Sequence, residues 1–232
     1  MKAILCRTGG CPQVMAAMVS TVNVVIVGGH GKIGMRLAKL LADRGDSPRG
    51  IIRKTEQAAD LEAIGAEPIV LDIENVDDIS DALAGADAVV FAAGAGPGSG
   101  PARKRTVDYG GAVKLADAAK TQGIRRYLIV SAIGANHPES WSEQMKPYLE
   151  AKAEADKYVA ESGLDYTIVR PGGLTDDPGT GKVALGDLDS GTVTRDDVAL
   201  VLAELLNADN AIGKSFDLMN GDTPVAEAIA SL

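Results

Sequence analysis

Cysteine, histidine and net positive charge are all scarce in this chain, and each shortage removes a class of function. Only Cys6 and Cys11 occur, both within the first dozen residues, so a disulfide framework is excluded and no cysteine cluster offers itself to zinc. His30 and His137 stand far apart with no second ligand at metal spacing, so no metal site is expected. Acidic residues outnumber basic ones to give a net charge of −9, and the basic residues are dispersed, which disfavours nucleic acid or an anionic membrane as partner. No proline-, serine- or charge-rich linker divides the 232 residues, so one large domain is expected. Long apolar runs are missing as well. Residues 1–17 carry a short mixed stretch broken by Arg7, Gly9, Gly10 and Pro12, a poor signal peptide that cannot span a bilayer. They read as a disordered extension, with Met18 equally suited as a start, ahead of one domain over 18–232 in a cytoplasmic protein.

Glycine, by contrast, is abundant, and its placement is informative. Gly28-Gly29-His30-Gly31-Lys32-Ile33-Gly34 lies between an apolar run at 22–27 and an amphipathic stretch at 35–42. A buried strand ending in glycines lets the backbone turn sharply and approach a pyrophosphate, and the following helix aims free N–H groups and its positive dipole end at the anion. Ile33, Leu37, Leu40 and Leu41 follow helical spacing and Gly45 supplies a stop. The expected ligand is a dinucleotide.

Strand and helix then alternate. The patterns predict strands at 50–53, 67–71, 86–92, 127–131 and 166–170, with helices at 55–64, 77–83, 102–121 and 147–162 between them. Such alternation means right-handed βαβ crossovers and an α/β fold of the Rossmann type, a doubly wound parallel sheet covered on both faces. A helix at 196–206, a strand at 216–219 and a last short helix form a small C-terminal extension on the substrate side. Binding residues of such sheets collect beyond the carboxyl ends of the strands. That places Gly28 to Gly34, Arg53, Asp72, Ala92-Ala93-Gly94, Ser131 and Pro171-Gly172-Gly173-Leu174 around one crevice.

The place where an NAD-preferring site carries Asp or Glu holds Arg53-Lys54. A guanidinium and an ammonium there suit the 2′-phosphate of NADP(H), making NADPH the expected cofactor and NAD the lesser one; the alternative is a solvated basic corner. Lys32 adds a charge beside the phosphates. Asp72 is placed either to contact the adenine amino group or to cap its own turn. Ala92-Ala93-Gly94 either lets a ribose or pyrophosphate pass over bare backbone or simply starts a loop. His137, Trp141 and Met145 either line a substrate pocket or belong to a surface loop, and Asp108 with Tyr109 either approaches the cofactor or, the better reading, packs on the helix face.

The chain resembles the atypical short-chain dehydrogenase/reductases, in the NAD(P)H-binding, NmrA-like branch that includes biliverdin IXβ reductase-like proteins. The resemblance spans 22–230. It rests on Val-Gly-Gly-His-Gly-Lys-Ile-Gly from Val27, Ile-Arg-Lys from Ile52, Leu-Asp-Ile ending at Ile73, and Val-Ser-Ala-Ile-Gly-Ala from Val130. Tyr-Leu-Glu-Ala-Lys from Tyr148 and Leu-Asp-Tyr-Thr-Ile-Val-Arg-Pro-Gly-Gly-Leu ending at Leu174 complete it. The family's reductases use a Tyr-x-x-x-Lys pair, tyrosine exchanging a proton with the reacting oxygen while lysine binds the nicotinamide ribose. Tyr148 and Lys152 have that spacing and share a helix face, and the Ser131 hydroxyl is set to bond a substrate carbonyl. The loop at 132–146 separates Ser131 from Tyr148 by more than is usual in the family's standard enzymes, so the pair either acts chemically or serves as a cofactor and packing contact.

The resemblance implies an NADPH-dependent reductase of a small carbonyl-containing or conjugated, possibly aromatic, molecule. An alternative is a non-catalytic NADP(H) sensor of NmrA-like type. A nucleotide-sugar epimerase-like enzyme is third, because the short tail after Leu174 leaves little room for a sugar nucleotide.

Overall fold

A computed structural model describes residues 21–96 and 98–232; the extension expected at 1–17, and Met18, lie outside the described residues. The chain opens with strand β1 (Asn23–Val27), whose Val24, Val25, Ile26 and Val27 are all buried because helices cover both faces of the sheet. Helix α1 (Lys32–Asp43) buries Ile33, Leu37, Ala38 and Leu41 along one stripe and stops at Gly45, where φ of +87° suits only glycine. Strand β2 (Ser47–Ile52), helix α2 (Ala58–Glu62), β3 (Glu67–Val70) and β4 (Ala88–Phe91) follow. Helix α3 (Pro101–Arg103) runs through a π-helical segment, Lys104–Gly111, into α4 (Ala112–Thr121). Next come β5 (Arg126–Val130), α5 (Lys146–Glu161) and β6 (Asp165–Pro171). The C-terminal part holds β7 (Gly173–Thr175), β8 (Lys182–Gly186), β9 (Thr192–Thr194), α6 (Arg195–Leu205), β10 (Lys214–Asn220), β11 (Thr223–Pro224) and α7 (Val225–Ala230).

The main sheet runs β11-β8-β10-β6-β5-β4-β1-β2-β3, and β7 pairs with β9 in a separate small sheet. Every pair from β3 across to β10 is parallel, whereas β8 joins β10 and β11 antiparallel. From β1 the chain builds outward to β2 and β3, then returns to place β4 on the other side of β1. That reversal opens a crevice beyond the carboxyl ends of β1 and β4. Strand alternation divides the core between the faces. Val24, Ile26, Val90, Leu128 and Val169 pack with α1 and α6, while Val25, Val27, Phe91, Ile129 and Ile168 pack with α4 and α5.

The Rossmann-type doubly wound sheet is as expected, with local corrections. The helix expected at 55–64 is a 3₁₀ turn, Thr55–Gln57, at whose start Gln57 Oε1 accepts the Lys54 N–H, followed by the short α2. At 77–83 only a 3₁₀ turn, Ser80–Leu83, forms; Asp78 draws off the Ser80 N–H and hydroxyl. The helix expected at 102–121 is interrupted by the π segment. No described helix is long and apolar enough to cross a membrane.

Candidate active site

Two connected hollows lie at the carboxyl ends of the strands, sharing Ala92, Ala93 and Gly94 as a common wall. The smaller, about 210 Å³, runs from the glycine loop toward β3 and is lined by Gly28, Gly31, Arg53, Ile73, Glu74 and Arg103 among others. Its floor depends on missing side chains. A Cβ on Gly28, whose φ is +88°, would stand 2.8 Å from the Ala93 backbone, and one on Gly34 would strike the Gly28 carbonyl oxygen. The start of α1 has no side-chain cap and no acidic residue in its first turn, so its N–H groups remain available to an anion.

Around this cleft the charges are arranged to favour a phosphate. His30 is fixed by Gln57 Nε2 at 3.0 Å from Nδ1 and by Asp60 Oδ2 at 2.7 Å from Nε2. Arg53, exposed at the end of β2, borders the cleft with Gln57. Glu74, the carboxylate among the lining residues, is occupied: Arg103 donates to its Oε2 at 3.1 and 2.9 Å, and Thr106 donates to Oε1 at 2.8 Å. Partial burial pushes the Glu74 carboxyl up, but the bonds from Arg103 and Thr106 outweigh that and hold it below its ordinary value. Arg103 also donates to the Ala95 carbonyl at 3.2 Å, fixing the turn after β4.

The larger hollow, about 770 Å³, extends from that shared wall over α5 and is lined by Lys32, Ser131, Met145, Tyr148, Lys152 and Leu174 among others. Tyr148 and Lys152 lie one turn apart on α5. The half-buried Tyr148 ring carries the Lys104 ammonium 4.8 Å from its centroid, with the Lys152 ammonium at 5.9 Å. Lys152 is 3% exposed and donates to the Val130 carbonyl at 3.0 Å. Its ammonium also pairs with Asp108 at 3.3 Å, an ion-pair distance without the alignment of a hydrogen bond, and Asp108 Oδ2 accepts the Ala95 N–H at 3.1 Å. The π segment aims Asp108 inward at this point. At the mouth, Asp176 draws in Lys32 and Arg195, the latter at 2.9 Å.

A glycine-floored anion cradle opening into a chamber with tyrosine, lysine and serine is the anatomy of a nicotinamide-nucleotide site, and residues 28–209 match the NAD(P)H-binding family. The chain belongs to that family. It is 46% identical over 213 residues to an uncharacterized sugar epimerase, YhfK, of Bacillus subtilis, covering 90% of this chain and all of that one. A solved structure described as a putative NAD-dependent epimerase/dehydratase from Bacillus halodurans superposes with a TM-score of 0.87 at 40% identity, over 91% of this chain and 100% of the other. The structure of ChuY from Escherichia coli O157:H7, described as an anaerobillin reductase, gives a TM-score of 0.75 at 25% identity, over 87% and 98%.

In this member of the NAD(P)H-binding family Gly28, His30, Gly31, Arg53, Ile73, Ala92, Ala93 and Gly94 border the smaller cleft, and Lys32, Ile33, Ser131, Tyr148, Lys152 and Leu174 border the chamber. Other candidates stand elsewhere. Asp72 turns its carboxylate to its own turn, accepting from the Glu74 N–H at 3.1 Å and Asn75 Nδ2 at 2.8 Å, so Leu71 and Ile73 face the cleft instead. Lys54 is exposed outside the lining. Gly34 lets the helix pack against the backbone of the glycine loop, and Pro171, Gly172 and Gly173 serve the sheets, Gly172 N–H bonding Leu218 O and Gly173 N–H bonding Gly191 O. Of the loop at 132–146, Met145 reaches the chamber, whereas the Trp141 Nε1–H donates to Gly134 O and His137 faces Glu139 and Asp187. Asp108, read from sequence as packing, is the buried partner of Lys152. Glu74 and Arg103, 29 residues apart, left no signal in local pattern; Gln57 did, standing three residues beyond Lys54 at capping-box spacing.

Proposed function

We propose that this protein is an NADPH-dependent reductase of a small carbonyl-containing or conjugated molecule. The observation that carries the reading is that Tyr148, Lys152 and Ser131 line one chamber that shares the wall Ala92 to Gly94 with the glycine-floored cleft. NADPH, when bound, supplies a hydride at the nicotinamide. The glycine floor and the free start of α1 hold its pyrophosphate, and Lys152 meets the nicotinamide ribose. Arg53 meets the 2′-phosphate. The Glu74 carboxylate is neutralised by Arg103, so the cleft offers no free acid to accept a ribose 2′-hydroxyl as NAD(H) requires.

Tyr148 is placed to hand its hydroxyl proton to the oxygen or carbon that becomes anionic after reduction, with Ser131 bonding the same oxygen. Leu174 and Met145 give the chamber an apolar side that fits a conjugated body and helps to exclude water. NADPH oxidation in the presence of quinones, flavins, biliverdins or aldehydes tests the reading; turnover of one class supports it. A second reading, a binding protein that senses NADP(H) without chemistry, is favoured by one observation: the Lys152 ammonium is held by Asp108 and Val130 O rather than by the Tyr148 hydroxyl. Tight NADPH binding with no oxidation by any acceptor selects it. The epimerase named for the Bacillus subtilis relative would bind the cofactor and show no net NADPH loss.

A further inference from the structure

Behind the chamber, the π-helical segment, α5, β6 and β10 bury an unbalanced set of charges. Asp108, Lys152, Asp156 and Asp217 are each at most 5% exposed, and the Arg170 side chain is 14% exposed. Arg170 Nε donates to Asp156 Oδ2 at 2.9 Å, and Arg170 is the register partner of Asp217 on the neighbouring strand. Two cations thus face three carboxylates out of water, where an uncompensated charge is costly and a carboxyl group takes up a proton instead. Three buried oxygens in the set lack hydrogen-bond partners besides Asp108 Oδ1: Asp156 Oδ1, Asp217 Oδ1 and the Ser131 hydroxyl. Ser131 lies beside Asp156 without a formed hydrogen bond.

We propose that Asp156 holds a proton on Oδ1 and donates it as a hydrogen bond to Ser131 Oγ, so that the Ser131 hydrogen turns into the chamber as a donor to the substrate oxygen. This rests on the reductase reading and makes Asp156 a positioning residue for Ser131. The arrangement closes the charge count: Lys152 pairs with Asp108, Asp156 stays neutral while its Oδ2 accepts from Arg170, and the Arg170 charge is balanced by Asp217, its register partner on the next strand rather than a direct ion pair. Of the two carboxylates nearest Arg170 in the fold, Asp217 is the better anion, because its Oδ2 accepts the Leu188 N–H at 3.1 Å. Burial raises the Asp156 carboxyl above the ordinary range despite the lowering effects of Arg170, Ser131 and Lys152. Burial likewise raises Asp217, with Arg170 and His137 opposing and Asp187 adding to the rise. Tyr127, the remaining ionisable neighbour of Asp156, gives its hydroxyl to Ala112 O at 2.9 Å.

The direct test is carbon-13 NMR of the aspartate carboxyls of the full chain between about pH 4 and pH 8. Asp156 is expected to remain protonated well above the usual carboxylate range and to ionise at a higher pH than Asp217. An Asp156 ionised throughout, or a proton found on Asp217 instead, overturns the proposal. With an accepted substrate, Asp156→Asn, whose amide can donate the same bond, is expected to keep turnover within about threefold, whereas Asp156→Ala falls about 10- to 100-fold, as Ser131→Ala does. Wild type is expected to lose turnover as Asp156 ionises at rising pH and Asp156→Asn is not; an asparagine variant as slow as the alanine one also overturns it. Absence of reduction by wild type defeats the reductase reading alone, since the NMR result stands without a substrate.

Discussion

Replacing Asp108 with alanine would strip a fully buried carboxylate from a lysine that is itself 3% exposed. Lys152 would keep its bond to Val130 O at 3.0 Å but lose its counter-ion, and the Ala95 N–H would lose its acceptor. Leaving one member of a buried pair uncompensated costs about 3–5 kcal/mol, more than the roughly 1–3 kcal/mol of a single unsatisfied donor, so the charge dominates the effect. For a chain of this size that corresponds to a fall of roughly 6–20 °C in melting temperature. Urea unfolding of Asp108→Ala, Lys152→Met and the double variant resolves the cause, because the second substitution removes the orphaned charge. The double variant should be more stable than the sum of the two single losses implies, by about 1–3 kcal/mol. Strict additivity, or a loss below about 1 kcal/mol for Asp108→Ala, would refute the ion-pair reasoning.

Arg53→Gln should weaken NADP(H) by about 1–3 kcal/mol in calorimetry and leave NAD(H) nearly unchanged, while Lys54→Gln, lying outside the cleft, should change neither. Equal wild-type affinities for the two cofactors would contradict this. Tyr148→Phe should bind NADPH normally and lose about 10²- to 10⁴-fold in turnover, whereas Lys152→Ala should lose both binding and turnover. Glu74 is held below its usual value near 4.5, so the stability it contributes is present above that pH and is lost as pH falls through the lower folded value. Glu74→Gln should therefore cost about 1 kcal/mol at neutral pH and shrink the difference from wild type on acidification, as read by urea midpoints across pH.

The part of the sheet from β1 to β6 was legible in the sequence because most of its strands are runs of branched apolar residues, as in β1 beside its glycine loop. The same clarity extended to position in the candidate site: Arg53, Ser131 and Ala92 to Gly94 follow strand ends and line the hollows there. It failed in the C-terminal part, where β7, β9 and β11 are two or three residues long and too short to show a period of two. It also failed for contacts between distant residues. Asp108 with Lys152, Glu74 with Arg103, and Asp156 with Arg170 are created by the packing of helix on sheet, and nothing in local spacing announces them. Asp72 was ambiguous because a carboxylate after a strand serves an adenine or its own turn equally well, and here the turn takes it.

Direct hydride delivery from NADPH to a substrate, with net reduction, is read by mass spectrometry of the product formed from an accepted biliverdin or aldehyde, whose hydride lands on carbon and does not exchange, with NADPH carrying two deuteriums at nicotinamide C4. One deuterium in the reduced product and stoichiometric formation of NADP are expected. NADPH that binds tightly yet stays unoxidised, with no deuterium in any recovered molecule, would contradict it.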